Sequence, residues 1–204
     1  MKNEQGFTAF EMVTTAGIIA IGAAIATPSI IKANRSYQLN SAAQQVSQVF
    51  QSAKFEALRN NANQTVLIDP VARTITINGR TTFLPAGITF ETQSSSTDLP
   101  TVIKTAVESG VTGQQTNEKT MVSFPQRSSD NKYEATFNSR GMPNVQPGAV
   151  NWLYLVNSNG EKVAITLTSA GSTNLWRKNG DDNWKDAAGN DGGGGSDNSN
   201  NPNR

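Results

Sequence analysis

The sequence predicts an α+β protein in which one long N-terminal helix precedes an antiparallel β-sheet. Three patterns lead to this fold class. Residues 12–31 form an uncharged, mostly apolar run of 20 residues. Residues 33–59 then place apolar side chains at steps of three and four, and from about residue 65 onward apolar and polar residues alternate between turn signals. The first two patterns indicate a single helix and the third indicates strands.

The apolar run is long enough to cross a membrane as a helix, since 20 residues at 1.5 Å each cover about 30 Å of hydrocarbon. Two plain interpretations are a signal anchor and a secretory signal peptide, cut at the small-x-small site Ala24-Ile25-Ala26. The run exceeds the roughly 7–15 apolar residues of a signal peptide. Neither interpretation explains Glu11, because an ionisable group beside lipid is costly, about 2.5–3.5 kcal/mol at the bilayer centre.

Residues 6–12, Gly-Phe-Thr-Ala-Phe-Glu-Met, resemble the processing box of type IV pilins and of the pseudopilins of type II secretion, which usually reads Gly-Phe-Thr-Leu-Ile-Glu-Leu. The resemblance implies that a prepilin peptidase cuts between Gly6 and Phe7 and that the new amine of Phe7 is methylated. Glu11 then becomes the fifth residue of the mature chain, which the family keeps acidic. Pro28 becomes the twenty-second, where pilins commonly carry a helix-loosening proline.

The position of Glu11 has a physical explanation in a bundle of such helices. Two opposite charges in a low-dielectric environment relieve each other's desolvation only when they are paired. The carboxylate of Glu11 would therefore pair with the amine of Phe7, in its own or a neighbouring subunit, and fix the register of the filament.

The resemblance and the periodicities together divide the chain into five parts. Residues 1–6 are the leader, 7–31 the membrane-spanning and filament-core helix, and 32–61 its amphipathic continuation, ended by Asn60, Asn61 and Asn63. Residues 62–180 form a periplasmic β domain, which completes the pilin fold. Residues 181–204, rich in Gly and Asn, are expected to be a flexible tail.

Within the β domain, turn signals separate short segments of period two. Asn78-Gly79 and Asn159-Gly160 are the clearest hairpin turns, and a short helix is expected in the polar insertion near residues 98–110. The expected strands are 65–68, 73–77, 81–84, 88–92, 121–124, 133–137, 152–156, 162–168 and 174–177.

A second segment is similar to one subfamily. Residues 53–59, Ala-Lys-Phe-Glu-Ala-Leu-Arg, followed by the strand at 65–68, resemble the helix-to-strand junction of the GspH/FimT minor pseudopilins, where an Ala-Arg-x-Glu-Ala-x-x-Arg run precedes the first strand. The simplest interpretation of Lys54, Glu56 and Arg59 is a solvated helix face with a marginal ion pair.

The composition argues against an enzyme. The chain contains no His and no Cys, which excludes most transition-metal sites, His-based proton transfer and Cys nucleophiles. Ser129-Asp130-Asn131-Lys132 matches two penicillin-recognising signatures that overlap here, so we interpret it as a polar turn. The acids near residues 181–191 lack the spacing of an EF-hand and are expected to be solvated. No cofactor and no metal are predicted.

DNA binding is a separate possibility, because some FimT-like minor pilins act in DNA uptake. Five cations could gather on one sheet edge near Trp176. These are Arg127, Lys132, Arg140, Arg177 and Lys178. Acidic residues lie among them in the sequence and the formal net charge is only +1, so scattered surface charge is the simpler interpretation.

The resemblance therefore predicts a minor pilin or pseudopilin, a structural subunit of a type IV pilus or of a type II secretion pseudopilus. Its expected partners are a prepilin peptidase, other pilin or pseudopilin subunits and the inner membrane, with the C-terminal domain in the periplasm. Two alternatives stay open on the same scaffold: a major pilin subunit, and a minor pilin that binds DNA for uptake.

Overall fold

The computed structural model describes residues 8–91, 100, 103, 122–145, 150–178 and 184–186. Within these residues, one long helix leads into nine β-strands that form two antiparallel sheets. The predicted α+β class, a long N-terminal helix packed on antiparallel strands, is confirmed. The strands divide into two sheets, which the sequence did not predict, because register beyond a hairpin depends on contacts between distant segments that local sequence does not encode.

Helix α1 runs from Ala9 to Asn60, 52 residues and about 78 Å at 1.5 Å per residue. It stays helical through Pro28 and ends where Asn61 takes a left-handed conformation with φ of 47°. The backbone N–H of Asn61 donates to the carbonyl groups of Ala57 and Leu58. The predicted asparagine stop is thus a left-handed C-cap.

The first sheet contains four strands in the order β3-β2-β1-β5. Strand β1 is Gln64–Asp69, β2 is Thr74–Ile77, β3 is Arg80–Phe83 and β5 is Tyr133–Phe137. Asn78 and Gly79 both have positive φ, 47° and 73°, as the tight hairpin between β2 and β3 requires. Strand β1 alternates strictly between buried and half-buried residues.

The second sheet contains five strands in the order β4-β6-β7-β8-β9. Strand β4 is Ile88–Glu91, β6 is Val150–Asn157, β7 is Lys162–Thr168, β8 is Thr173–Lys178 and β9 is Trp184–Asp186. Strands β6 and β7 each contain five consecutive buried residues, because one face of the sheet packs on α1 and the other covers a second apolar cluster.

The core lies between the second half of α1 and the two sheets. Eight helix residues are buried, at steps of one, three or four: Leu39, Ala42, Ala43, Val46, Ser47, Phe50, Ala53 and Ala57. The ring of Phe50 lies 5.6 Å from that of Phe124 and 6.5 Å from that of Phe137. The predicted amphipathic continuation of the helix is therefore the element that joins both sheets.

Two expectations need correction. The expected strand at 121–124 is only an isolated bridge between Val122 and Leu153. The flexible tail was expected to begin at residue 181. This boundary lies too early, because Trp184–Asp186 pairs with β8 as strand β9. Trp184 is 5% exposed and packs with Ile103, Trp152 and Trp176, and this burial holds the segment in place. Of the expected short helix, Pro100 and Ile103 are described, and Ile103 is helical and buried.

Candidate assembly helix and its anchoring

The first half of α1 is an exposed apolar rod, and Arg35 at its end donates to Oδ1 of Asn159. Residues 8–35 are all exposed, and an 18-residue window within α1 has a mean hydropathy of 1.8 with no part of it buried. Large apolar side chains along it are mostly open, among them Phe10 at 76%, Ile18 at 72% and Ile25 at 75%. The helix is long and apolar enough to cross a membrane, and an exposed apolar surface of this extent marks a site of contact with lipid or with other apolar surfaces.

Glu11 closes the N-terminus of this rod through a capping box with Thr8. The backbone N–H and the hydroxyl of Thr8 donate to Oε2 of Glu11, at 3.0 and 2.9 Å. The N–H of Glu11 donates back to Oγ1 of Thr8 at 3.3 Å. The carboxylate therefore sits at the positive end of the helix dipole and satisfies donors that the first helical turn leaves unpaired.

Hydroxyl groups inside the rod are satisfied by its own backbone. Thr14 donates to the carbonyl of Phe10 at 2.6 Å, Thr15 to that of Glu11 at 2.7 Å and Thr27 to that of Ala23 at 2.7 Å. These bonds allow polar residues to enter an apolar environment without losing a partner. Pro28 has no N–H to donate to the carbonyl of Ala24, so the rod is weakened there although it stays helical.

The second half of α1 is anchored to the second sheet at several levels. Near its start, Ser36 donates to Oε2 of Glu161 at 2.6 Å. Further along, the hydroxyls of Ser47 and Thr173 lie 2.7 Å apart. The sheet therefore runs beside the helix, with the β6–β7 turn next to the apolar rod and the β7–β8 turn next to the helix C-terminus.

The side chain of Lys54 contacts the turn between β7 and β8 and is not part of a solvated helix face. Its Nζ donates to the carbonyl groups of Ala170 and Gly171, at 3.1 and 3.3 Å. Gly171, with φ of +74°, approaches so closely that a Cβ there would lie 2.8 Å from the carbonyl oxygen of Gly141. Residues 53–59, which resemble a helix-to-strand junction, therefore lie where the C-terminal end of α1 contacts two turns, those of Gly141 and Gly171.

The five cations proposed for DNA lie in separate places. Arg127 pairs with Asp130 at 2.8 Å and Glu134 at 3.4 Å, and Lys132 lies 3.4 Å from a carboxylate oxygen of Asp69.

Arg140 belongs to the turn beside Lys54, since a Cβ on Gly141 would lie 3.1 Å from Cγ of Lys54. Arg177 and Lys178 line a cavity with Ser36, Leu39 and Asn40 of the helix, roughly 21–27 Å from Lys54 along the axis at 1.5 Å per residue. The five cations thus form no single surface, and contact with DNA stays a prediction.

Residues 129–132 form a turn, as the sequence indicated. The guanidinium of Arg127 donates to Asp130 and lowers the pKa of that carboxyl to about 2. Because this pKa lies below the unfolded value, the contribution of the Arg127–Asp130 pair to stability is complete above about pH 4 and is lost as the pH falls through 2.

We expect the Asp130 carboxyl carbon to titrate near pH 2 by NMR, and Arg127→Gln to return the midpoint of that titration toward 4. A wild-type midpoint near 4 would contradict the pairing.

Gly6 and Phe7, the predicted processing site, lie outside the described residues. Glu11 and Pro28 lie on the exposed rod, and their role in assembly stays a prediction. Thr8 was missed, although the Thr-x-x-Glu pattern directly before an apolar run is a sequence signature of a capping box.

No protein-family model matches the chain, and a comparison with curated proteins gives no match. Among solved structures, the chain is similar to the type IV minor pilin FimU of Pseudomonas aeruginosa. The two share 15% sequence identity with a TM-score of 0.40, and the similarity covers 69% of this chain and 89% of that chain.

Proposed function

We propose that this chain is a minor pilin or pseudopilin, a structural subunit of a type IV pilus or of a type II secretion pseudopilus. The observation that carries the proposal is the exposed apolar rod with one carboxylate, Glu11, held at its end. A signal peptide or a simple anchor has no use for that carboxylate. The resemblance of residues 6–12 to a processing box gives the carboxylate a function, which is to pair with the amine of Phe7.

In this proposal the rod exchanges one apolar environment for another during assembly. Lipid tails are as apolar as leucine, so transfer of the rod from a bilayer to a helix bundle changes the hydrophobic free energy little. Packing and charge pairing then decide the equilibrium. Small residues permit close approach of helices, and Gly17 and Gly22 have no neighbour within 4 Å of where a Cβ would be.

The partners follow from the same proposal. A prepilin peptidase cuts between Gly6 and Phe7 and the new amine is methylated. The rod then holds the subunit in the inner membrane, with the domain after residue 61 in the periplasm. The rod packs laterally against the rods of other subunits, and Glu11 fixes the register of the filament. The long polar insertion after β4 and the helix-to-strand junction favour a minor role at or near a filament tip.

The test is fractionation of the full chain in its native host. We expect it in the sheared filament or pseudopilus fraction. Gly6→Val, which blocks the predicted cut, should leave the chain in the membrane fraction, and Gly79→Ala, a change in the β2–β3 turn near the C-terminal end of α1, should still reach the filament fraction. Equal recovery of the Gly6→Val chain in the filament fraction would contradict the proposal.

A further inference from the structure

A cavity of about 190 Å³ lies between the start of the packed half of α1 and the ends of two strands, the first residues of β7 and the last of β8. It is smaller than the roughly 300–1,000 Å³ of pockets for drug-sized ligands, so it suits one small charged group. Its polar lining comprises Ser36, Asn40, Glu161, Lys162, Arg177 and Lys178.

The cavity lies at a fixed height above the apolar rod. Ser36 and Asn40 follow Ile31, the last residue of the apolar run, by five and nine positions. At 1.5 Å per residue these positions lie roughly 8 and 14 Å beyond the end of the run. The polar headgroup layer extends about 5–8 Å beyond the hydrocarbon on each side, and Lys and Arg stems reach several Å further toward it.

The charge around the cavity is positive. Glu161 is engaged by Ser36 and by the side chain of Asn157, and Lys162 pairs with Glu91 at 2.8 Å. Arg177 is exposed and has no side-chain partner among the described residues. Among the described residues that line the cavity, three are cationic, Lys162, Arg177 and Lys178, and one is acidic, Glu161. Arg35 lies nearby and donates to a neutral amide oxygen, Oδ1 of Asn159, rather than to a carboxylate.

We infer that this cavity binds the phosphate of an anionic phospholipid headgroup while the rod spans the membrane. Guanidinium groups bind phosphate through paired, charge-assisted hydrogen bonds, and basic residues next to a membrane strengthen attachment to anionic lipid. A free phosphate ion has the same chemistry, but the helix rise places the membrane-facing edge of the cavity at the outer boundary of the headgroup layer, from which Arg and Lys stems reach lipid phosphate.

The inference rests on the proposed membrane-spanning role of the rod, and on the described residues alone. The connection between β8 and β9, which carries Asp181 and Asp182, lies outside them.

The test uses the full chain in nanodiscs of phosphatidylcholine, with and without phosphatidylglycerol. We expect the Nε–H resonance of Arg177 to shift when phosphatidylglycerol is present. An unchanged resonance in an inserted chain overturns the headgroup site and leaves the proposed function intact. A chain that does not insert overturns both. An equal shift with inorganic phosphate in phosphatidylcholine discs, with no further change on adding phosphatidylglycerol, assigns the cavity to a free anion and overturns the lipid source.

A matched pair of variants provides a second measurement. Arg177→Gln should reduce the phosphatidylglycerol that the detergent-extracted chain retains in native mass spectrometry by about fivefold, the effect of one cation near an anionic surface. Arg59→Gln removes the same charge from the exposed far end of the helix and should retain as much lipid as wild type. Lys178→Gln provides an independent variant at the cavity. Equal retention by all three variants overturns the inference.

Discussion

Glu11→Val should reduce incorporation into filaments by more than about 100-fold while the chain still inserts in the membrane. Removing one partner of a buried ion pair costs about 3–5 kcal/mol, because the other charge stays buried and unpaired. In the proposed bundle that other charge is the amine of Phe7. Insertion depends on the apolar rod, which the change lengthens. The measurement is the ratio of chain in the filament and membrane fractions.

Two matched variants separate the charge of Glu11 from its capping role. Glu11→Gln keeps an oxygen that accepts from the N–H and hydroxyl of Thr8 but carries no charge, so it should fail to assemble as Glu11→Val does. Thr8→Ala removes the cap, at a cost of about 0.5–2 kcal/mol, and keeps the charge, so it should still assemble. The reverse pattern would make Glu11 a helix cap only and would contradict the proposed pairing.

Gly171→Ala should lower the free energy of unfolding by about 2–5 kcal/mol. A left-handed conformation costs a non-glycine residue about 1–2 kcal/mol, and overpacking adds about 1–3 kcal/mol. The new methyl group would lie 2.8 Å from the carbonyl oxygen of Gly141 and 3.3 Å from Cδ and Nζ of Lys54. Urea unfolding of the full chain in detergent, followed by tryptophan fluorescence, measures the change, since Trp152, Trp176 and Trp184 all lie in the adjoining sheet.

Gly160→Ala is the control for backbone strain alone. Gly160 also has a positive φ, +81°, but no atom lies within 4 Å of its ideal Cβ. It should therefore lose only the roughly 1–2 kcal/mol of the left-handed conformation. Equal losses at the two glycines would show that the contact between Lys54, Gly141 and Gly171 contributes nothing to stability.

The elements that local chemistry determines were predictable from the sequence. The apolar run and the three- and four-residue spacing gave one helix through residue 60, and its asparagine stop is observed at Asn61. Asn78-Gly79 and Asn159-Gly160 marked the two tight hairpins. In each case the signal lies within a few residues, since a left-handed turn residue or a helix face needs no distant partner.

What sequence reasoning missed depends on distant segments. The division into two sheets follows from the pairing of β1 with β5 and of β4 with β6, across connections much longer than a hairpin. Val122 forms only a bridge to Leu153, although its neighbours alternate like a strand. The contact of Lys54 with Gly171 joins residues 117 positions apart.

The mass of the intact N-terminus tests the central claim most directly. If the chain is a pilin or pseudopilin subunit, mass spectrometry of the protein purified from its native host will show loss of residues 1–6 and one added methyl group on the amine of Phe7. A chain that still begins with Met1, or one cut after Ala26 so that the apolar rod is lost, would contradict the account.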